Sequence, residues 1–108
     1  MKKVKITVLK THYFKDLAEE YCNSSTSTCP CFQLGQEFLA DFDQPDGFCG
    51  WAWNDIQKYV VTLLGGGDFA SGAYDGWMKT RNTMIASCTD GIRPVVFKLE
   101  LIEELEPI

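Results

Sequence analysis

Lys3-Val4-Lys5-Ile6-Thr7-Val8-Leu9 alternates, with Val4, Ile6 and Val8 pointing one way and Lys3, Lys5 and Thr7 the other. A period of two marks a strand buried on one face only. Towards the far end of the chain the same rhythm returns: Val95, Phe97, Leu99 and Leu101 face inward, Lys98 and Glu100 outward. The basic outer face of the first stretch and the acidic Glu100, Glu103, Glu104 region suit cross-strand neighbours. The two terminal strands are therefore expected to pair in one sheet.

Between them, Phe14 to Tyr21 predicts a short helix with Phe14, Leu17, Ala18 and Tyr21 on one face. The polar side chains of residues 23–28 compete with backbone hydrogen bonds and predict a loop. Residues 34–39 read as a turn and then a strand, and Asp43-Gln44-Pro45-Asp46-Gly47 as a further turn. The clearest element runs from Trp51 to Leu64, where Trp53, Ile56, Val60, Leu63 and Leu64 fall at helical spacing. Asp55 lies near the positive end of that helix, and Gly65-Gly66-Gly67 ends it. The glycine-rich stretch from there to Gly76 is expected to be mobile. Thr83 to Cys88 predicts a strand, turned at Thr89-Asp90-Gly91 into the last one. The order β-α-β-α-β-β predicts one α+β domain over residues 1–108, a mixed or mainly antiparallel sheet with two helices on it.

A chain of 108 residues, 45% of them apolar, can fill one core without a disulfide or a metal. Its net charge of −5, with ten basic residues spread along it, argues against nucleic acid as a partner. No apolar run approaches the ~18 residues of a membrane span. Lys5, Thr7 and Lys10 interrupt what would be the apolar core of a signal peptide. A cytoplasmic location is expected, where thiols stay reduced. Five cysteines, an odd number, also fit a closed disulfide framework poorly.

Those cysteines fall at element boundaries. Cys29-Pro30-Cys31 precedes the second strand, Cys49 precedes the long helix and Cys88 closes a strand before a turn. Thiolates are soft ligands, so Cys29, Cys49 and Cys88, joined by Cys31, are candidate metal ligands for zinc or an iron–sulfur cluster. Paired Cys-x-x-Cys knuckles are missing, and small buried hydrophobes are the ordinary alternative. At a helix start the dipole and free amides favour an anionic sulfur, which makes Cys49 a candidate nucleophile. The lone His12 is not brought to it by sequence. Trp51, Asp90 and Arg93 are candidate cofactor-binding residues beside these thiols, while Trp53 matches the core stripe of its helix.

Gly65-Gly66-Gly67-Asp68-Phe69 is not a phosphate loop, because it closes a helix instead of opening one. With Tyr74 and Trp77 nearby it could serve as a lid. Asp41-Phe42-Asp43 and Glu103-Glu104 read as solvated surface.

Taken as an ordered set, Cys29-Pro30, Gly35-Gln36-Glu37-Phe38, Phe48-Cys49-Gly50-Trp51-Ala52-Trp53 and Cys88-Thr89-Asp90-Gly91 with Pro94-Val95-Val96-Phe97 resemble a family of short uncharacterised prokaryotic proteins. The resemblance spans nearly the whole chain. It implies that Cys29, Cys49 and Cys88 are the site positions, that Cys22 and Cys31 are additions, and that Ser87 stands where relatives carry a second cysteine. It implies no activity. Three readings follow: a cysteine-lined metal- or cofactor-binding domain, a thiol-dependent enzyme acting through Cys49, and a non-catalytic homo-oligomeric interaction module whose thiols merely pack.

Overall fold

A computed structural model describes residues 1–23 and 26–103. The elements are β1 (Lys2–Thr11), α1 (Lys15–Tyr21), β2 (Glu37–Ala40), α2 (Gly50–Leu64), β3 (Thr83–Ser87) and β4 (Val95–Glu103), with a single 3-10 turn at Gly72–Tyr74. The four strands form one sheet in the order β2-β1-β4-β3, and every neighbouring pair is antiparallel. The two terminal strands pair, as their alternation predicts.

Val4, Ile6 and Val8 of β1 and Val95, Phe97 and Leu99 of β4 turn their side chains to one face and are at most 1% exposed. α2 covers that face with Ile56, Val60 and Leu63, all fully buried, and with Trp53. Each such aliphatic or aromatic side chain contributes roughly 1.5–3 kcal/mol of hydrophobic stabilisation. On the other face the register sets Lys5 opposite Glu100 and Thr7 opposite Lys98. The lysines lean towards β2 nonetheless: Lys3 pairs with Asp41 at 3.2 Å and Lys5 with Glu37 at 3.7 Å. Glu104 lies outside the described residues.

One local expectation changes. α1 begins at Lys15, with Phe14 as its N-cap, and it buries only Ala18; Tyr21 is 77% exposed. α2 covers the apolar face of the sheet, and the short α1 is tethered at its start instead, where the Phe14 amide donates to Ile92 O and the Phe14 ring lies edge-on to His12. The glycine-rich stretch, in turn, carries its own packing. Gly66 takes a φ of +91° and the amides of Gly66 and Gly67 donate to Leu63 O and Thr62 O, the double closure of a glycine-ended helix. Beyond it Asp68 accepts hydrogen bonds from the Ala70 amide and the Ser71 hydroxyl, and buried Phe69 gathers Tyr59, Tyr74 and Trp77 around it.

Candidate functional site

The antiparallel order brings the end of β1, the approach to β2, the end of β3 and the start of β4 to one edge of the sheet. The N-terminal turns of α2 lie at this same end. Each thiol there is held by an adjoining core residue. Phe32, 5% exposed, stacks edge-on against Phe38, Phe48 and Phe97 and anchors the Cys29-Pro30-Cys31 turn. The turn is pulled in further because the Val8 amide donates to Gln36 O and the Gly35 amide to Val8 O, with Gly35 at a φ of +84°.

Phe48 meets Phe38 and Trp53 as well, which fixes the neighbouring Cys49. The Phe48 amide closes a tight turn on Pro45 O, with Gly47 at φ +76°, and Gln44 Nε2 donates to Phe48 O. Cys49 is the N-cap of α2. Its carbonyl accepts the Trp53 amide and its sulfur makes no capping bond, so the thiol is left to the space in front of the helix.

Cys88 is clasped by the strand across from it. Its amide donates to Val95 O at 3.1 Å, and the Val95 amide donates to the Cys88 sulfur at 3.3 Å. The connecting loop is secured twice. Asp55, on the second turn of α2, accepts the Thr89 amide at 2.9 Å and its hydroxyl at 3.1 Å. Asp90 accepts the Ile92 and Arg93 amides and pairs with Arg93 Nε at 3.3 Å. Burial acts to raise the Asp90 pKa, but the two amides and the guanidinium outweigh it and hold the carboxyl below the ordinary range.

Cys29, Cys31, Cys49 and Cys88 thereby line a single open cavity of about 400 Å³. Phe32, Ala52 and Val95 supply apolar wall. Trp51 stands on the lining with 85% of its surface exposed, while Trp53 is in the core. Arg93 and Asp90 also line the cavity, although their charges are spent largely on each other and on the loop. His12 and the 65–76 stretch are not part of the cavity wall. Cys22 lies in a separate surface groove with Tyr13 and Lys15.

The thiols share the cavity unevenly. Cys31 is the exposed one, and its pKa is raised, first by a hydrogen bond with Cys29, then by slight burial and by repulsion from Cys29 and Cys49. A residue that the resemblance marks as an addition thus lies between two of the three expected ligands. Among the described residues, no group of three or more His, Cys, Asp or Glu side chains converges closely enough to hold a metal ion. Cys29, Cys49 and Cys88, with Cys31 as the possible fourth ligand, therefore do not form a ready-made metal site. The thiols face a common space that a ligand would have to fill or draw together. Among the described residues no helix is long and apolar enough to cross a membrane. No protein-family model, curated protein or solved structure matches the chain, so the chemistry of this cavity is what speaks for its use.

Proposed function

We propose that the protein binds a soft metal ion or a metal-containing cofactor in this cavity, through Cys29, Cys49 and Cys88 with Cys31 beside them. The observation that carries the reading is the meeting of four thiols, from three segments far apart in sequence, on one cavity wall. Soft thiolates select zinc, copper(I) and iron–sulfur clusters over harder cations. The resemblance of the surrounding segments to a prokaryotic family supports the choice of residues 29, 49 and 88. A neutral site would leave several thiols crowded together, and a cation removes the repulsion that now opposes their joint ionisation. The Val95 amide already directed at the Cys88 sulfur is the kind of outer contact that steadies a thiolate ligand.

Protein purified without oxygen or chelators should carry iron or zinc, or take it up on reconstitution, in proportion to chain. Cys29→Ser, Cys49→Ser and Cys88→Ser should each lose most of it while keeping the far-UV spectrum of the parent. Fewer than about one metal in ten chains, unimproved by reconstitution, removes the reading.

A second reading is favoured by Cys49 itself. Its sulfur caps nothing and faces the cavity from the N-cap of a 15-residue helix, a position that favours a nucleophilic thiol. Selective alkylation of Cys49 over the other thiols by a small electrophile supports it, and labelling in proportion to exposure alone removes it.

A further inference from the structure

We infer that Cys29 and Cys31 form a dithiol that exchanges with small-molecule disulfides at the cavity mouth, alternating between a reduced pair and an internal bridge. This use of the two sulfurs needs no metal and is separate from the ligand role proposed above.

Several features of the site lead here. Both thiols line the same cavity, one exposed and one half-buried, which provides an accessible sulfur and a sheltered neighbour. They are two residues apart in a turn, and two residues of fully extended chain span at most about 7 Å. A turn shortens that span into the roughly 4.4–6.8 Å range of Cα separations that a disulfide bridges. Pro30 between them has its φ fixed by its ring, which limits the ways the pair can move apart. Further along, Phe32 is locked in the aromatic core, so the turn is attached to a rigid support. Cys29 is also the foremost influence on the Cys31 thiol, which agrees with this closeness.

The chemistry balances without any other redox partner. The Cys31 thiol gives its proton to solvent, and the thiolate attacks one sulfur of the small disulfide. One small thiolate leaves and a mixed disulfide remains on Cys31. Cys29 then loses its proton, and its sulfur attacks that of Cys31 and expels the second small thiolate. The two released thiolates take up the two protons. The protein has lost two hydrogens and been oxidised; the small disulfide has become two thiols and been reduced. An excess of small thiol runs the same steps backwards.

The test uses the full chain carrying Cys22→Ser, which removes the thiol of the separate groove. Protein in excess chelator is exposed to oxidised glutathione and followed by intact mass. Cleavage after the aromatic residues Tyr21 and Phe32 then isolates a peptide that holds Cys29 and Cys31 without Cys49. The expected product is lighter by two hydrogens, with the bridge inside that peptide and with Cys49 and Cys88 still open to alkylation. Adding Cys31→Ser should prevent the bridge and leave at most a mixed disulfide on Cys29. A bridge from Cys31 to Cys49, four thiols left free, or a bridge that persists after Cys31→Ser would each overturn the inference. Chelator keeps the result independent of metal binding, so either proposal can fail without the other.

Discussion

At the scale of the residue, Cys31 carries the most specific electrostatic consequence of the site. Its thiol hydrogen-bonds with Cys29 and sits near Cys49, so a negative charge on it is opposed and its pKa is raised. A raised value means less thiolate at a given pH, and alkylation of Cys31 at neutral pH should be slower than its exposure suggests. The rate should keep climbing above the ~8.5 of a free thiol. Replacing Cys29 by Ala removes the hydrogen bond and one repelling group, so the Cys31 profile should move back towards that value; Cys49→Ala should move it less. Site-resolved alkylation against pH measures both shifts, and identical profiles in parent and Cys29→Ala would contradict the arrangement. The linkage has the same sign. The protonated thiol is the form favoured in the fold, so this group's contribution to stability is present below its unfolded pKa and fades as pH rises through the folded one.

At the scale of elements, the site depends on Phe48 more than on any thiol. This ring touches Phe32, Phe38, Trp53 and Phe97, and so joins the Cys29-Pro30-Cys31 turn, β2, α2 and β4. Phe48→Ala should cost about 3–5 kcal/mol, a large share of the ~5–15 kcal/mol typical of a whole domain. Urea unfolding measures that loss. Cys49 should also alkylate faster in the folded variant, because the neighbouring ring that fixes its backbone is gone. A loss below about 1 kcal/mol would mean that the aromatic cluster repacks without Phe48. This cluster also marks how far sequence could be read. The alternation in Lys3–Leu9 and the stripe through Trp53, Ile56, Val60 and Leu63 are local patterns, and they lead directly to β1 and α2. The stripe Phe14, Leu17, Ala18, Tyr21 is just as periodic yet mostly exposed, because periodicity does not say whether a covering layer is available. Convergence of the thiols rests on rings separated by up to 65 positions, Phe32 to Phe97, and no short-range pattern records such contacts. The role of Asp55 was hidden for the same reason. Its place near a helix start suggests a dipole partner, whereas its carboxylate holds Thr89, 34 residues on. For Cys31 a signal did exist: its spacing from Cys29 fixes the two as neighbours in any fold.

At the scale of the whole molecule, a chain of net charge −5 holds four of its carboxyls in the ionised state by local donors. The carboxyl of Asp41 is lowered by the Asp43 amide and Lys3, that of Asp68 by the Ala70 amide and Ser71, and that of Glu103 by the N-terminal ammonium. Asp90 joins them for the reasons given above. Each has a folded pKa below its unfolded one, so each adds stability that is complete above the unfolded value and lost as pH falls through the folded value. Thermal unfolding should therefore be nearly level from pH 7 to about 5 and drop steadily below about pH 4, where free carboxyls begin to take up protons. Three of these groups are surface pairs or turn caps whose separate effects are small and partly screened by salt. Asp90 differs because it organises the loop that follows Cys88. Asp90→Asn keeps the side chain's size while giving up the charge, and it should both flatten part of the acid limb and loosen the Cys88 side of the cavity at neutral pH. Melting curves of parent and variant between pH 3 and 7, with Cys88 alkylation measured alongside, separate the two effects. An acid limb of equal slope in both proteins, with Cys88 no more reactive in the variant, would place the acid sensitivity at Asp41, Asp68 and Glu103 and leave the thiol cavity indifferent to its own carboxylate.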